Sequence, residues 1–179
     1  MNPARLKLVK GDITKEKVDA IVNATTENLA GRWWHRWVYS LAGGPDVAQA
    51  CNDIRARQLG WLPHHPSCRH ERGRPSGRIC HIHTVGPIWR GGTENEPDLF
   101  ASCYRESLFL ARECGVMTIA FPSISTGIYR YPIDEASVIA HSTVKEFVET
   151  YEGIQEVRFV LFDDVAYDCF AEFFSYMDI

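Results

Sequence analysis

The 179-residue chain has no apolar run that approaches the roughly 20 residues needed for a bilayer-spanning helix. Its first residues, Met1-Asn2-Pro3-Ala4-Arg5, lead straight into an alternating segment and carry no signal-peptide apolar core. Positive charge is not in excess. Lys and Arg number 19 against 23 Asp and Glu, a formal net charge of -4. Neither nucleic acid nor an anionic membrane therefore gains from bulk attraction, and neither is an expected partner. The six cysteines, at 51, 68, 80, 103, 114 and 169, form no C-x-x-C pair. A chain of this length can bury enough core to fold without covalent staples. Reduced thiols and a cytoplasmic setting are the expectation. Repeats, linkers and low-complexity tails are also missing, so a single domain over residues 1–179 is expected.

What is present is an alternation of short apolar runs and helical patterns. Hydrophobic residues make up 45% and charged residues 23%, the balance of a globular chain and not of a disordered one. Arg5 to Lys10 alternates polar and apolar residues. Asp19 to Asn23, Cys80 to Val85, Met117 to Phe121 and Val157 to Phe162 are short apolar runs bounded by Gly, Pro or Asp. Such runs fit buried strands of a largely parallel sheet. Helical spacing appears at Pro45 to Gln58, at Glu96 to Cys114 with Gly115 as a C-cap, and at Ile133 to Tyr151. A last helix is expected after Asp163-Asp164, acidic residues suited to a helix N-terminus. The alternation predicts an α/β layered domain, with ligands outside the carboxyl ends of its strands.

Three loops stand at such strand ends: Gly11-Asp12-Ile13-Thr14, Pro122 to Tyr129, and Phe162-Asp163-Asp164. In the second, a glycine flanked by hydroxyl residues lets backbone N–H groups close around phosphate oxygens. Alone, that pattern is equally a plain strand-to-helix turn with Ser and Thr caps.

Taken in order, Gly11 to Thr14, Val18 to Ala24, Ile82 to Pro87, Cys103 to Ser107, Phe121 to Tyr129 and Leu161 to Asp163 resemble the signatures of a bacterial macrodomain. The resemblance covers nearly the whole chain. It implies a three-layer α/β/α domain with a mixed, largely parallel sheet and a cleft for ADP-ribose or O-acetyl-ADP-ribose, free or carried on ADP-ribosylated proteins. It implies hydrolysis of such esters, or simple reading of ADP-ribose without turnover, and no metal or organic cofactor. By the same resemblance Asp12 accepts from the adenine amino group, with the backbone of Ile13 nearby, and Phe162 stacks on adenine. Ser125, Thr126, Gly127, Ile128 and Tyr129 cradle the diphosphate and distal ribose, and Asn23 matches the family's first asparagine. The ordinary alternatives are a turn role for Asp12 and a core role for Phe162.

Two stretches depart from that pattern. Where the family carries N-A-A-N, a loop like G-G-G-G-V-D-G-A-I-H and then A-G-G-P, this chain has Asn23-Ala24-Thr25-Thr26, Gly31 to Ser40, and Ala42-Gly43-Gly44-Pro45. Spacing is kept, yet Thr26 and Arg36 occupy the positions the family uses for chemistry, and Trp33 and Trp34 replace glycines. After Gly60, Trp61 to Ile82 replaces a stretch like C-P-T-T-R-A-V-A-T-S-A-G-D-L-P-A-R-Y-V-I.

Three readings stand for these stretches. His64, His65, Cys68, His70, Cys80, His81 and His83 are residue types that hold zinc, although their spacing matches no standard site. Trp33, Trp34 and Trp37 with Arg32 and Arg36 are types that stack on nucleobases. The third reading is translation out of frame over residues 31–41 and 61–82. Trp is coded only by TGG, so a frame starting one base later reads GG plus the next base, always Gly. Trp33, Trp34 and Trp37 then conceal three glycines at the family's spacing, and Leu62 to Ile82 can conceal the family's second stretch.

The source DNA separates these readings. The out-of-frame reading expects one indel near codons 29–31, its compensation near 41–42, and a second pair flanking codons 60–82. Codons 31–40 in the shifted frame then spell a Gly-rich loop followed by Asp-Gly. If they do not, Trp33, Trp34 and the His-rich stretch are genuine features with a role of their own.

Overall fold

Each apolar run foreseen in the described part of the chain forms a strand. The computed structural model describes residues 4–25, 68–71 and 80–177. The strands are β1 (Arg5–Lys10), β2 (Ala20–Thr25), β3 (Cys68–Glu71), β4 (Cys80–Val85), β5 (Thr118–Phe121) and β6 (Glu156–Leu161). They form one sheet in the order β1-β6-β5-β2-β4-β3. Five strands run parallel, and β3 pairs antiparallel with β4 at the edge. The helices among the described residues are α1 (Glu96–Glu113), α2 (Ile133–Thr150) and α3 (Asp164–Met177). A 3-10 turn, Ile13–Lys15, follows β1.

The helices end where their sequences say they should. In α1, Pro97 and the acidic Glu96 and Asp98 occupy the first turn. At its C-terminus Gly115 adopts φ 68°, its N–H donates to Arg112 O, and the Val116 N–H donates to Ala111 O. This is the Schellman arrangement, which only a left-handed residue after the cap permits. In α3 the Asp163 carboxylate accepts from the Ala166 N–H at 2.8 Å, the cap expected of an Asp ahead of a helix.

All three helices bury their apolar stripes in one core on one face of the sheet. Phe100, Tyr104 and Leu108 of α1, Ala140, Val144 and Phe147 of α2, and Phe170 and Phe174 of α3 meet Val22, Ile82, Phe121 and Phe159 of the strands. Removing each large side chain from water contributes about 1.5–3 kcal/mol, which is what holds the layer to the sheet. A smaller cluster of Ile13, Val18, Ile21, Ala120 and Val160 lies on the opposite face. The helical pattern at 45–58, which the expected third layer requires, lies outside the described residues.

Three boundaries differ from expectation. Met117 precedes β5 instead of opening it, because Asp19 captures the start of that strand. The Asp19 carboxylate accepts from the N–H groups of Met117 and Thr118 at 3.1 and 2.8 Å. Phe162 lies beyond β6, and its side chain is 79% exposed. Finally, β3 falls inside the His-rich stretch, where no strand was expected; an edge strand needs only backbone pairing, here His70 opposite His81 and Glu71 opposite Cys80.

At the start of β6, Glu156 binds Lys7 of β1 at 2.6 Å and Arg158 at 2.5 Å, and Arg158 reaches Glu16 at 2.6 Å. The hydrogen bond from Lys7, opposed by partial desolvation and reinforced by Arg158, holds the Glu156 carboxyl below its ordinary value. A depressed folded-state pKa adds stability above the unfolded value, and that stability is lost as pH falls through the folded one. Unfolding free energy, measured in urea at a series of acid pH values, should therefore decline below the usual glutamate range. Glu156→Gln should lower stability at neutral pH and make that acid decline shallower.

Candidate functional site

Because β1, β6, β5, β2 and β4 are parallel neighbours, their carboxyl ends lie along one edge of the sheet. The loops that leave them begin at Gly11, Phe162, Pro122, after Thr25 and at Gly86. This edge gathers every described residue that the sequence marks out for ligand binding: Asp12, Ile13, Asn23, the Ser125 to Tyr129 loop and Phe162. Thr26 and Arg36, which the resemblance aligns with the family's catalytic positions, lie outside the described residues. So do Trp33, Trp34, Trp37, Arg32, His64, His65 and the side chains of Cys68 and His70.

Asp12 and Phe162 leave adjacent strands, linked by the Gly11 N–H donating to Leu161 O at 2.9 Å. Asp12 does take the turn role. Its Oδ1 accepts from the N–H of Thr14 at 2.9 Å and from its hydroxyl at 2.7 Å, capping the 3-10 turn. Among the described residues its Oδ2 faces only Lys15, at 3.7 Å. The Thr14 hydroxyl, against partial desolvation, holds the carboxyl below its ordinary range, so Asp12 is an acceptor at neutral pH. The Ile13 N–H has no acceptor among the described residues. The core role for Phe162 is excluded by its exposure, and Val165, the second residue of α3, is exposed three positions on.

The loop after β5 carries unspent donors. Its closing bonds are Arg130 N–H to Gly127 O and Tyr131 N–H to Ser125 O, both 3.0 Å, and the Ser123 and Thr126 hydroxyls bond to each other. Among the described residues the N–H groups of Ser125, Thr126, Gly127 and Ile128 meet no acceptor. Ser125 adopts φ 58°, a left-handed value that costs a non-glycine residue on the order of 1 kcal/mol or more. A left-handed residue within such a run turns successive N–H groups toward a common point, the geometry of an anion-binding nest. Ile128, 77% exposed, is an apolar side chain left open at the same loop.

Asn23 lies in the second half of β2, opposite His83 in register. Its Nδ2 donates to His83 Nδ1 at 3.1 Å, which places the proton of a neutral ring on Nε2. Its Oδ1 is buried with no donor. His81 and His83 alternate with Cys80 and Ile82 along β4. Among the described residues, no three His, Cys, Asp or Glu side chains come together as a metal-binding group. Cys103 is buried in the core, which pushes its thiol up to about 11 and leaves it protonated.

Two residues matter here that the sequence reading passed over. Gly86, in the Ile82 to Pro87 signature, lies beneath the anion loop. A Cβ there would sit 2.1 Å from Ser125 Oγ and 2.6 Å from Ile124 Cγ2. Trp89 donates its N–H to Tyr129 O at 3.0 Å, and its ring lies 4.8 Å from that of Tyr131. Gly86 was legible only as part of a motif, since close approach from a distant loop leaves no local trace.

With this geometry in hand, the comparisons are consistent with one another. A family model described as Macro domain matches residues 22–140. A macro domain-containing protein of Streptomyces griseus is 46% identical over 168 residues, covering 93% of each chain. A Cronobacter sakazakii protein named O-acetyl-ADP-ribose deacetylase is 41% identical over 160 residues, covering 89% of this chain and 88% of its own. The solved structure of a mutant Oceanobacillus iheyensis macrodomain with ADPR matches at a TM-score of 0.89 and 36% identity, covering 98% of this chain and 95% of that one.

The contact between Gly86 and Ser125 is testable by a double-mutant cycle. Gly86→Ala should destabilise the fold by about 1–3 kcal/mol through overpacking, read from urea melts. Ser125→Gly removes both the clashing hydroxyl and the left-handed strain. It should recover part of that loss when combined, giving a coupling above about 0.5 kcal/mol. Strict additivity would mean that the two loops do not press on each other.

Proposed function

The chain belongs to the macro domain family, and from that premise we propose that its strand-end cleft binds ADP-ribose. The observation that carries this reading is the run of four N–H groups from Ser125 to Ile128 that meet no acceptor among the described residues, set on the sheet edge that also presents an exposed Phe162 and an ionised Asp12. A diphosphate is the ligand chemistry such a run of donors suits. Phe162 offers a flat face to an adenine ring. Asp12 Oδ2, which only Lys15 approaches, accepts from the exocyclic amine, while the Ile13 N–H donates to a ring nitrogen. The buried Oδ1 of Asn23 lacks a donor that a sugar hydroxyl would supply. Thr126, Gly127, Ile128 and Tyr129 close over the diphosphate and distal ribose.

Within that reading, the ancestral reaction is hydrolysis of ADP-ribose esters, either O-acetyl-ADP-ribose or ADP-ribosylated carboxylate side chains. The cleft holds the ester against a positioned water, and orientation supplies the rate. The chain as written departs from that chemistry at Thr26 and Arg36. A guanidinium is always charged and cannot take a proton from water. The protein therefore acts as a reader of ADP-ribose, free or on modified proteins of the cytoplasm, with little or no turnover.

Calorimetry on the purified chain should show ADP-ribose binding in clear preference to ribose 5-phosphate, since the adenosine contacts are intact. Asp12→Ala should weaken that binding roughly tenfold or more, the worth of a hydrogen bond to a charged group. Equal affinity for the two ligands would sink the assignment. O-acetyl-ADP-ribose should survive incubation with the unmodified chain, and rapid deacetylation would show that the catalytic groups lie elsewhere.

A further inference from the structure

The loop between β4 and α1 contributes no expected ligand contact, yet it is built around a buried charge. Glu96, the first residue of α1, is only 1% exposed. Its Oε1 accepts from the N–H groups of Arg90 at 2.9 Å and Gly92 at 3.1 Å, and its Oε2 from that of Glu94 at 2.5 Å. Gly91, Gly92 and Asn95 all adopt left-handed φ, at 95°, 79° and 61°, so the chain coils round the carboxylate. Residues 90–95 are exposed and bury no apolar side chain, so these three bonds to a buried carboxylate, with an exposed Arg90–Glu94 pair at 3.3 Å, are what hold their turns. Burial alone would drive the carboxyl toward neutrality, but the amides outweigh it and the group stays ionised.

This coil meets the loop after β5 through Trp89. The Trp89 ring lies over Gly92, where an added Cβ would stand 3.2 Å from the indole, and packs against Tyr131. Its backbone N–H holds Tyr129 O. Tyr131 in turn bonds to Ser125 and is stacked on Phe100 of α1, with ring centroids 4.5 Å apart. The four free N–H groups thus lie between Gly86 and Trp89, and Trp89 is set by the coil around Glu96.

We propose that Glu96 is a positioning residue for the anion loop: its carboxylate folds residues 90–94 into a strut that fixes Trp89, and Trp89 fixes the loop that presents the Ser125 to Ile128 amides. The inference rests on reading that loop as the diphosphate site. A loop held in its binding geometry loses less freedom on capture of the ligand. The charge is therefore spent on pre-organisation, and a variant lacking it should bind the diphosphate less well while leaving adenosine recognition alone.

The test uses Glu96→Gln, which keeps the shape but sets an NH2 group against one or more donor amides, and Gly92→Ala, which keeps the carboxylate but presses on Trp89 and strains the left-handed turn at 92. Calorimetry should give about tenfold weaker ADP-ribose binding for Glu96→Gln, the equivalent of one lost hydrogen bond, and a smaller loss for Gly92→Ala. Adenosine affinity should change less than about twofold in either. In the ligand-free protein, hydrogen exchange at the Arg130 and Tyr131 amides should quicken by about tenfold, while the β2 amides stay as they were. If Glu96→Gln does not fold, Gly92→Ala must still show both effects. Unchanged exchange at Arg130 and Tyr131, or equal loss of adenosine and ADP-ribose, would overturn the proposal. Absence of ADP-ribose binding by the unmodified chain would refute the ligand assignment instead, and the exchange measurement would still decide whether Glu96 sets the loop.

Discussion

The parallel pairing of β1, β6, β5, β2 and β4 is the constraint on which everything else depends. Parallel neighbours put all their carboxyl ends on one edge, so loops far apart in sequence must begin side by side. Asp12 and Phe162, separated by 150 positions in the chain, become neighbours because β1 and β6 share a ladder that runs Arg5 opposite Glu156 through Lys10 opposite Leu161. The helices on one face then hold the strands in that order, through the aromatic core of Phe100, Tyr104, Phe121 and Phe159. The edge is thus rigid underneath and irregular on top, which is the condition for a loop to keep its donors pointed outward.

Crowding at this edge explains features that look odd one at a time. Ser125 adopts a left-handed conformation that serine avoids, and Gly86 has no side chain where one would strike Ser125 Oγ. The two facts are one arrangement: the β5 loop is pressed onto the start of the β4 loop, and only a glycine lets it approach. Trp89 then braces the far end of the same loop through Tyr129. Strain at Ser125 persists because these contacts over-determine it, and the four free amides are the consequence.

Most of the sheet was legible because each parallel strand is a short apolar run stopped by Gly, Pro or Asp. The helix ends were legible for the same reason, as at Gly115 and Asp163. Three things were not. Phe162 continues the apolar run of β6, and composition cannot tell an aromatic that leaves the core from one that completes it. Cys68-Arg69-His70-Glu71 shows no apolar alternation, since an antiparallel edge strand is held by its backbone. Glu96 reads as an ordinary acidic residue in the first turn of a helix. Its burial arises because the chain before it folds back over the carboxylate, a tertiary event with no periodic signature. At the strand-end edge, the loop positions of Asp12 and Ser125 to Tyr129 followed from the strand ends, Gly86 was legible only as part of a motif, and Trp89, which acts across loops, was not.

The same geometry separates holding a ligand from transforming it. The features that suit adenosine and diphosphate sit on the ends of β1, β5 and β6, which lie in parts of the sequence that keep the family pattern. Thr26 and Arg36, which the resemblance aligns with the family's catalytic positions, follow β2 in a part of the sequence that does not keep the pattern. Binding energy and catalytic groups are thus carried by different segments of chain. Loss of the second need not remove the first, because hydrogen bonds from fixed amides depend on the β5 loop and its braces alone. Changes at Thr26 and within residues 31–41 and 61–82, whatever their origin, therefore leave the loops after β1, β5 and β6 as they are. That is the physical reason why a charged Arg36 is compatible with an intact fold and with the donors that the β5 loop presents.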